Sequence, residues 1–250
     1  MFIPQSKSNV HAANRMVAIT LFALSCLTAS FGQTIRPVIT EYTANVAKGS
    51  FELVNPGVIP LNVILEPKSF TVSETGDITY RPLDKGIQLK LSAMSFKIPP
   101  EQTYTVFYEA RAETLPAWFV IYGNIGGYHK SNTGLNIRLD LPHTVYLLPK
   151  HSADKTDIHI RSLGYAADKG QLSFLITNSG PWFGRVLSSE LTGKGITIQG
   201  SGFPLFPHSS RIVTEPCKAN HVPTALRLQF KNFKIEEPVP DPGAYQPCAP

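Results

Sequence analysis

Apolar and polar residues alternate through most of this 250-residue chain, and the alternating runs are short. Phe51-Glu52-Leu53-Val54-Asn55 alternates and stops at the turn pair Pro56-Gly57. Ile87, Leu89 and Leu91 are interleaved with Gln88 and Lys90, and Leu226-Arg227-Leu228-Gln229-Phe230 repeats the pattern. A period of two sends successive side chains to opposite faces of a strand, so each run has one oily face to bury. No segment carries the 3.6-residue period of an amphipathic helix. The 21 prolines and 18 glycines fall between the runs, where strands must turn. With 42% hydrophobic and 16% charged residues, the chain is too apolar to remain disordered. These features predict an all-β protein built from packed sheets.

The runs form two groups. The first holds about eight short strands at the spacing of a β-sandwich. Among them, Leu61 to Leu65 closes at Pro67 before a separate Phe70-Thr71-Val72. Trp118 to Tyr122 (WFVIY) is nearly all apolar, as suits a central strand covered on both faces. The last run, Leu135 to Leu148, ends at Pro149. The polar stretch 150–155 has no β pattern and reads as a linker. A second group of six or seven strands follows, the number a smaller sandwich needs. Asn55-Pro56-Gly57 and Asn178-Ser179-Gly180 end comparable strands in the two groups. The expected organisation is a leader at 1–32, a sandwich at 33–149, the linker at 150–155, and a second sandwich at 156–250 that ends in a Pro-rich tail.

The leader has a polar start carrying Lys7 and Arg15, then the apolar run Met16 to Phe31, then Ser30-Phe31-Gly32 with small residues where a signal peptidase reads. The run is short for a membrane span, which favours a cleaved signal peptide and an exported chain. Its removal takes 23 basic residues to 21 against 18 acidic ones, a net charge of +3. No Lys/Arg cluster exceeds a pair, so nucleic acid is not an expected partner. Removal also leaves two cysteines, Cys217 and Cys248. In an exported chain a disulfide between them is the default expectation, worth on the order of 3–4 kcal/mol for a loop of about 30 residues.

Residues able to carry chemistry are scattered. The histidines of the mature chain (129, 143, 151, 159, 208, 221) show no metal-ligand spacing. Gly200-Ser201-Gly202 is half of a nucleophile elbow without the strand–turn–helix setting that makes its serine reactive. Gly123, Gly126 and Gly127 follow a strand but precede no helix, so they cradle no phosphate. The acids show no paired arrangement. The expectation is a non-enzyme without cofactor, metal or small-molecule substrate. Trp182-Phe183, in the turn Gly180-Pro181-Trp182-Phe183-Gly184, is either a loop plug or a sugar contact.

The segment from Gly134 to Pro149, GLNIRLDLPHTVYLLP, stands out. Leu135, Ile137, Leu139 and Leu141 point one way, and Asn136, Arg138 and Asp140 the other. A long alternating strand after a polar, Gly-bearing loop can be an ordinary last strand. It can also be an edge that offers backbone donors, acceptors and apolar side chains to another polypeptide.

Taken in order, several segments resemble the immunoglobulin-like periplasmic chaperones of the chaperone–usher pilus pathway. They are Gly49 to Asn55, Phe96-Lys97-Ile98-Pro99-Pro100-Glu101-Gln102, Trp118-Phe119-Val120, Leu135 to Pro149, Leu172 to Asn178, and Pro207 to Ile212. The resemblance implies two immunoglobulin-like sandwiches and a periplasmic location. It also implies a non-catalytic role in which Leu135, Ile137, Leu139 and Leu141 are lent to pilus or other secreted subunits, with an outer-membrane usher as a further partner. The family holds a subunit's terminal carboxylate with two basic residues in the cleft between its domains. Here the matching stretches, Pro37 to Tyr42 and Leu141 to Val145, contain no Lys or Arg. Arg36, Arg138 and Lys150 are the nearby cations that could substitute. The alternative role is a structural or adhesive surface module with the same build. A third is carbohydrate binding through Trp182 and Phe183.

Overall fold

A computed structural model of the chain describes residues 34–126, 138–166, 169–193, 196–217 and 222–240. The leader, Leu135, Ile137 and Cys248 lie outside them, and Cys217, half-buried, lies inside. The described residues are almost entirely β. The strands are β1 (Thr34–Arg36), β2 (Ile39–Tyr42), β3 (Val46–Asn55), β4 (Leu61–Val72), β5 (Ile78–Pro82), β6 (Ile87–Leu91), β7 (Ser95–Ile98), β8 (Gln102–Ala112), β9 (Ala117–Gly126), β10 (Arg138–Leu147), β11 (Ile158–Ala166), β12 (Gln171–Asn178), β13 (Gly184–Gly193), β14 (Ile196–Leu205), β15 (Ser209–Pro216), β16 (Pro223–Gln229) and β17 (Lys234–Pro238). A single 3-10 turn, Lys155–Asp157, precedes β11.

The first ten strands make two facing sheets, ordered β1-β3-β8-β6 and β2-β10-β9-β4-β5, with β7 also paired to β4. Between them lie Phe51, Leu53, Val63, Leu65, Val106, Phe119, Ile121, Val145 and Leu147, all essentially sealed from water. The last seven strands make sheets β11-β12-β15 and β14-β13-β16-β17 around Leu172, Phe174, Ile176, Leu191, Leu205, Leu226 and Leu228. No strand pairing joins the two sets among the described residues. This is the expected pair of sandwiches.

Two details differ from the sequence reading. Leu61 to Val72 is one strand that runs through Pro67. The Leu65 N–H donates outward to the Met94 carbonyl, so Pro67, two residues on, faces the same side. That side is empty at Pro67, because β7 stops pairing at Ile64 and β5 begins at Lys68. A proline is tolerated in a strand where its missing N–H had no partner to meet. Second, Pro37 and Val38 split the N-terminal segment between sheets. Its first half, β1, pairs antiparallel with β3, and its second half, β2, pairs parallel with β10.

The apolar run Trp118 to Tyr122 is central, with β9 between β10 and β4. Phe119 and Ile121 fill the first core, while Val120 faces the other way and is just as buried. It belongs to a third cluster in which Phe70, Val120 and Tyr146 of the first sandwich meet Phe183 and Phe206 of the second. A backbone bond from the Ile212 N–H to the Glu74 carbonyl (2.7 Å) also joins the sandwiches.

Candidate functional site

The site is the margin of β10. Antiparallel pairing with β9 runs its whole length, from Arg138↔Gly126 to Leu147↔Ala117. Among the described residues its other margin is covered only from Thr144 onward, where β2 begins. The Thr144 N–H donates to the Val38 carbonyl at 2.7 Å, and the Leu148 N–H to the Tyr42 carbonyl at 2.8 Å. In an antiparallel ladder the N–H and C=O of one residue point to the same side, and that side alternates along the strand. Arg138, Asp140 and Pro142 therefore turn their backbone polar groups the same way as Thr144, away from β9. No described strand receives them. The open margin offers both groups of Arg138 and Asp140 and the carbonyl alone of Pro142.

Side chains alternate with equal regularity. Leu139 and Leu141 point into the first sandwich and pack on its core, but both remain half-buried. His143, Val145 and Leu147, next on the same face, are sealed. Burial thus increases along the strand towards β2. The other two residues of the expected apolar row, Leu135 and Ile137, fall outside the described residues.

His143 marks where the margin closes. Its Nδ1 donates to the Pro37 carbonyl at 2.7 Å, since a carbonyl can only accept. In the neutral ring Nε2 is then an acceptor, and it takes the Tyr108 hydroxyl at 3.3 Å. The Tyr108 oxygen in turn takes the Tyr42 hydroxyl at 2.9 Å. The ring stacks on Phe51, with centroids 4.6 Å apart. Burial pushes the His143 pKa below the usual imidazole value and the Tyr108 hydroxyl above the usual phenol value. The relay crosses the sandwich over Gly49, where any Cβ would run into the Tyr42 and Tyr108 hydroxyls. Sequence reading passed over His143 as one of several scattered histidines. A signal was present: it occupies an inward position in the series Leu139, Leu141, His143, Val145, Leu147.

The three candidate carboxylate anchors are not assembled into one group. Arg36, on β1, pairs with Glu52 at 2.9 Å, and Arg138 pairs with Asp140 at 2.9 Å, both at the surface. Arg138 opens β10 and Lys150 follows its end, so at about 3.3 Å per residue roughly 30 Å of strand separates them. On β4, Lys68 pairs with Glu66 at 3.0 Å. Hydrogen bonds from Lys68 and Asn124 hold the Glu66 carboxyl below its usual range. Arg185 pairs with Glu41 across the sandwiches, its guanidinium over the rings of Tyr146 and Phe183. Phe183 is buried between the sandwiches, which removes it as a sugar platform; Trp182 is half-buried beside His151.

Gly200 lies against Ser189 and Glu215, and Gly202 against the backbone of Val186 and Leu187. Both serve close packing along β14. Among the described residues no three His, Cys, Asp or Glu side chains gather as a metal site, and no helix is long and apolar enough to cross a membrane.

No family model and no curated protein matches the sequence. Solved structures do match the fold. The class 5 fimbriae chaperone CfaA covers 83% of this chain and 99% of its own at 11% identity, with a TM-score of 0.50. The YadV chaperone covers 84% and 100% at 13% identity, with a TM-score of 0.52. A chain from the Salmonella enterica SafA pilin in complex with the SafB chaperone covers 85% and 98% at 11% identity, with a TM-score of 0.54. The chain has the two-sandwich, immunoglobulin-like fold that these fimbrial structures share.

Proposed function

We propose that this protein is a periplasmic, non-catalytic chaperone that captures pilus or other secreted subunits by donating β10 to them as a strand. The observation that carries the reading is the margin at 138–142, where backbone groups that no described strand receives lie beside the half-buried Leu139 and Leu141. Strand addition needs this combination: backbone bonds give affinity, and alternate side chains give specificity. A single-domain sandwich that left such a margin unpaired would risk self-association. The likeness to a chaperone solved with its pilin supports the same role. The apolar row would extend through Ile137 and Leu135, and the leader would direct export. An outer-membrane usher would be the onward partner.

The test is photocrosslinking in the periplasm of cells that co-express the chain with a candidate subunit. A crosslinker at Asp140 should capture the subunit. One at Phe107, which is 63% exposed on the opposite sheet, should not. Capture at Phe107 alone would remove the strand-addition reading and favour a surface module.

A further inference from the structure

The strand that covers the far half of β10 is held by few contacts. β1 is anchored by Ile35, which is buried in the first core. Beyond Pro37 there is no such anchor: Val38 is 50% exposed, Ile39 is 49% exposed, and no residue of β2 is buried. Only Tyr42 of β2 packs against the core. What docks β2 is its ladder to β10, the Glu41–Arg185 pair, and two bonds that meet in one relay. Just before β2 the Pro37 carbonyl accepts from His143 Nδ1. At its end the Tyr42 hydroxyl reaches Tyr108, which bonds Nε2. One fully buried imidazole therefore ties both ends of the covering strand.

The titratable groups that face the ring are Tyr108 of β8 and, behind it, Tyr42 of β2. Phe51 of β3 stacks on it, and Ile121 of β9 lies opposite it in the ladder. Charges on the surrounding strands are engaged elsewhere: Glu41 with Arg185, Arg36 with Glu52, Lys48 with Glu109, Arg138 with Asp140. Arg111 of β8 is exposed. Among the described residues no carboxylate bonds to the ring.

From this we infer that His143 is an acid-released latch on β2: the neutral ring holds the strand down, and protonation frees it and uncovers β10 from Thr144 to Leu147. The neutral ring suits the site because it donates at Nδ1 and accepts at Nε2. An imidazolium donates at both, and burial without a carboxylate leaves its charge unmatched. With β2 released, the ring meets water and its pKa returns towards the ordinary 6.5. The released state then binds more protons than the docked one, so docking is full above about 6.5 and weakens as the pH falls. Between pH 7.5 and pH 5 one such proton shifts the equilibrium about thirtyfold towards release. The consequence for capture rests on the strand-addition reading: the margin offered to a subunit lengthens from 138–142 to 138–147.

The experiment is amide hydrogen exchange on the full mature chain at pH 7.5 and pH 5, each rate referred to the intrinsic rate at that pH, with the His143 ring followed by nitrogen-15 NMR. The Thr144 and Leu148 amides donate to Val38 and Tyr42. Their protection should fall about thirtyfold and drop below that of Val145 and Leu147, which are bonded to β9. His143→Gln, whose amide can donate and accept but cannot titrate, should show no such fall. If that variant does not fold, the wild-type ring still decides, since it should titrate together with the loss of protection at Thr144 and Leu148. The latch is overturned by equal protection of these two amides at both pH values, by protection equal to that of Val145 and Leu147 at pH 5, by the same fall in a folded variant, or by a ring that titrates while they stay protected. No subunit is present in this experiment, so failure of the latch leaves strand addition standing, and strand addition is judged separately at Asp140.

Discussion

The Nδ1 of His143 sits 2.7 Å from the carbonyl oxygen of Pro37, so the last inward-facing polar side chain of β10 holds the point where the N-terminal segment leaves one sheet for the other. That bond fixes where β2 starts, and so how much of β10 stays open. An imidazolium at 143 would need an acceptor at Nε2. The Tyr108 oxygen could serve only if the Tyr108–Tyr42 relay reversed, which would leave the Tyr42 proton to find a new partner.

A pH dependence follows from the lowered His143 pKa. The unfolded chain takes up a proton near the ordinary value of 6.5, whereas the folded chain resists it. The unfolded state then binds more protons, so stability is full above about 6.5 and is lost as the pH falls towards the folded pKa. Urea unfolding of the first sandwich should show lower stability at pH 5 than at pH 7.5, and a His143→Gln variant should not show this loss. Glu66 and Asp84, also held low by their partners, lose their contributions at more acidic pH, so they do not blur the comparison.

Gly49 is required by the same relay. Gly49→Ala should cost about 1–3 kcal/mol by overpacking against two hydroxyls. Adding Tyr42→Phe should restore part of that loss, a coupling that a double-mutant cycle would read directly.

Asn55 and Asn178 are both fully buried and make the same bonds in the two sandwiches. Each amide nitrogen donates to the carbonyl four residues on, Ile59 or Trp182, at 2.8 Å. Each amide oxygen accepts the N–H two residues on, from Gly57 or Gly180, at 3.1 Å. Asn55 also donates to the Ile98 and Pro99 carbonyls. Alanine at either position should cost about 2–4 kcal/mol, because several buried groups lose their partner. Calorimetry should show each loss confined to one of two unfolding transitions, with near-additive effects in the double variant.

Arg185 joins the sandwiches through Glu41 and two aromatic rings. The pair is partly exposed, so Arg185→Ala should cost only about 1 kcal/mol of stability. Its larger effect should be on the angle between the sandwiches, with residual dipolar couplings showing greater relative motion. Arg185→Lys should restore little, since an ammonium cannot stack on Tyr146 and Phe183 as a planar guanidinium does.

Much of the architecture was legible because strand signals are local. Alternation in 51–55, 87–91 and 226–230, and the unbroken apolar run at 118–122, each announce which faces are covered. Pro67 misled because a proline's effect depends on whether a neighbouring strand would have met its N–H, and here β7 has stopped pairing and β5 has not begun. The split of the N-terminal segment was hidden for a similar reason, since short runs on either side of Pro37 say nothing about which sheet each joins. At the site, Leu139 and Leu141 could be read from their period. The clamp by His143 and the Arg185–Glu41 pair depend on contacts across the fold that no spacing encodes.

The open margin of β10 is tested most directly by amide hydrogen exchange, residue by residue. In the isolated protein the Asp140 amide should exchange rapidly, while those of Leu139 and Leu141, bonded to β9, and of Thr144 and Tyr146, covered by β2, should be slow. On addition of a captured subunit the Asp140 amide should become slow as well. An Asp140 amide already protected in the isolated protein, or one still fast in the complex, would contradict strand addition at this edge.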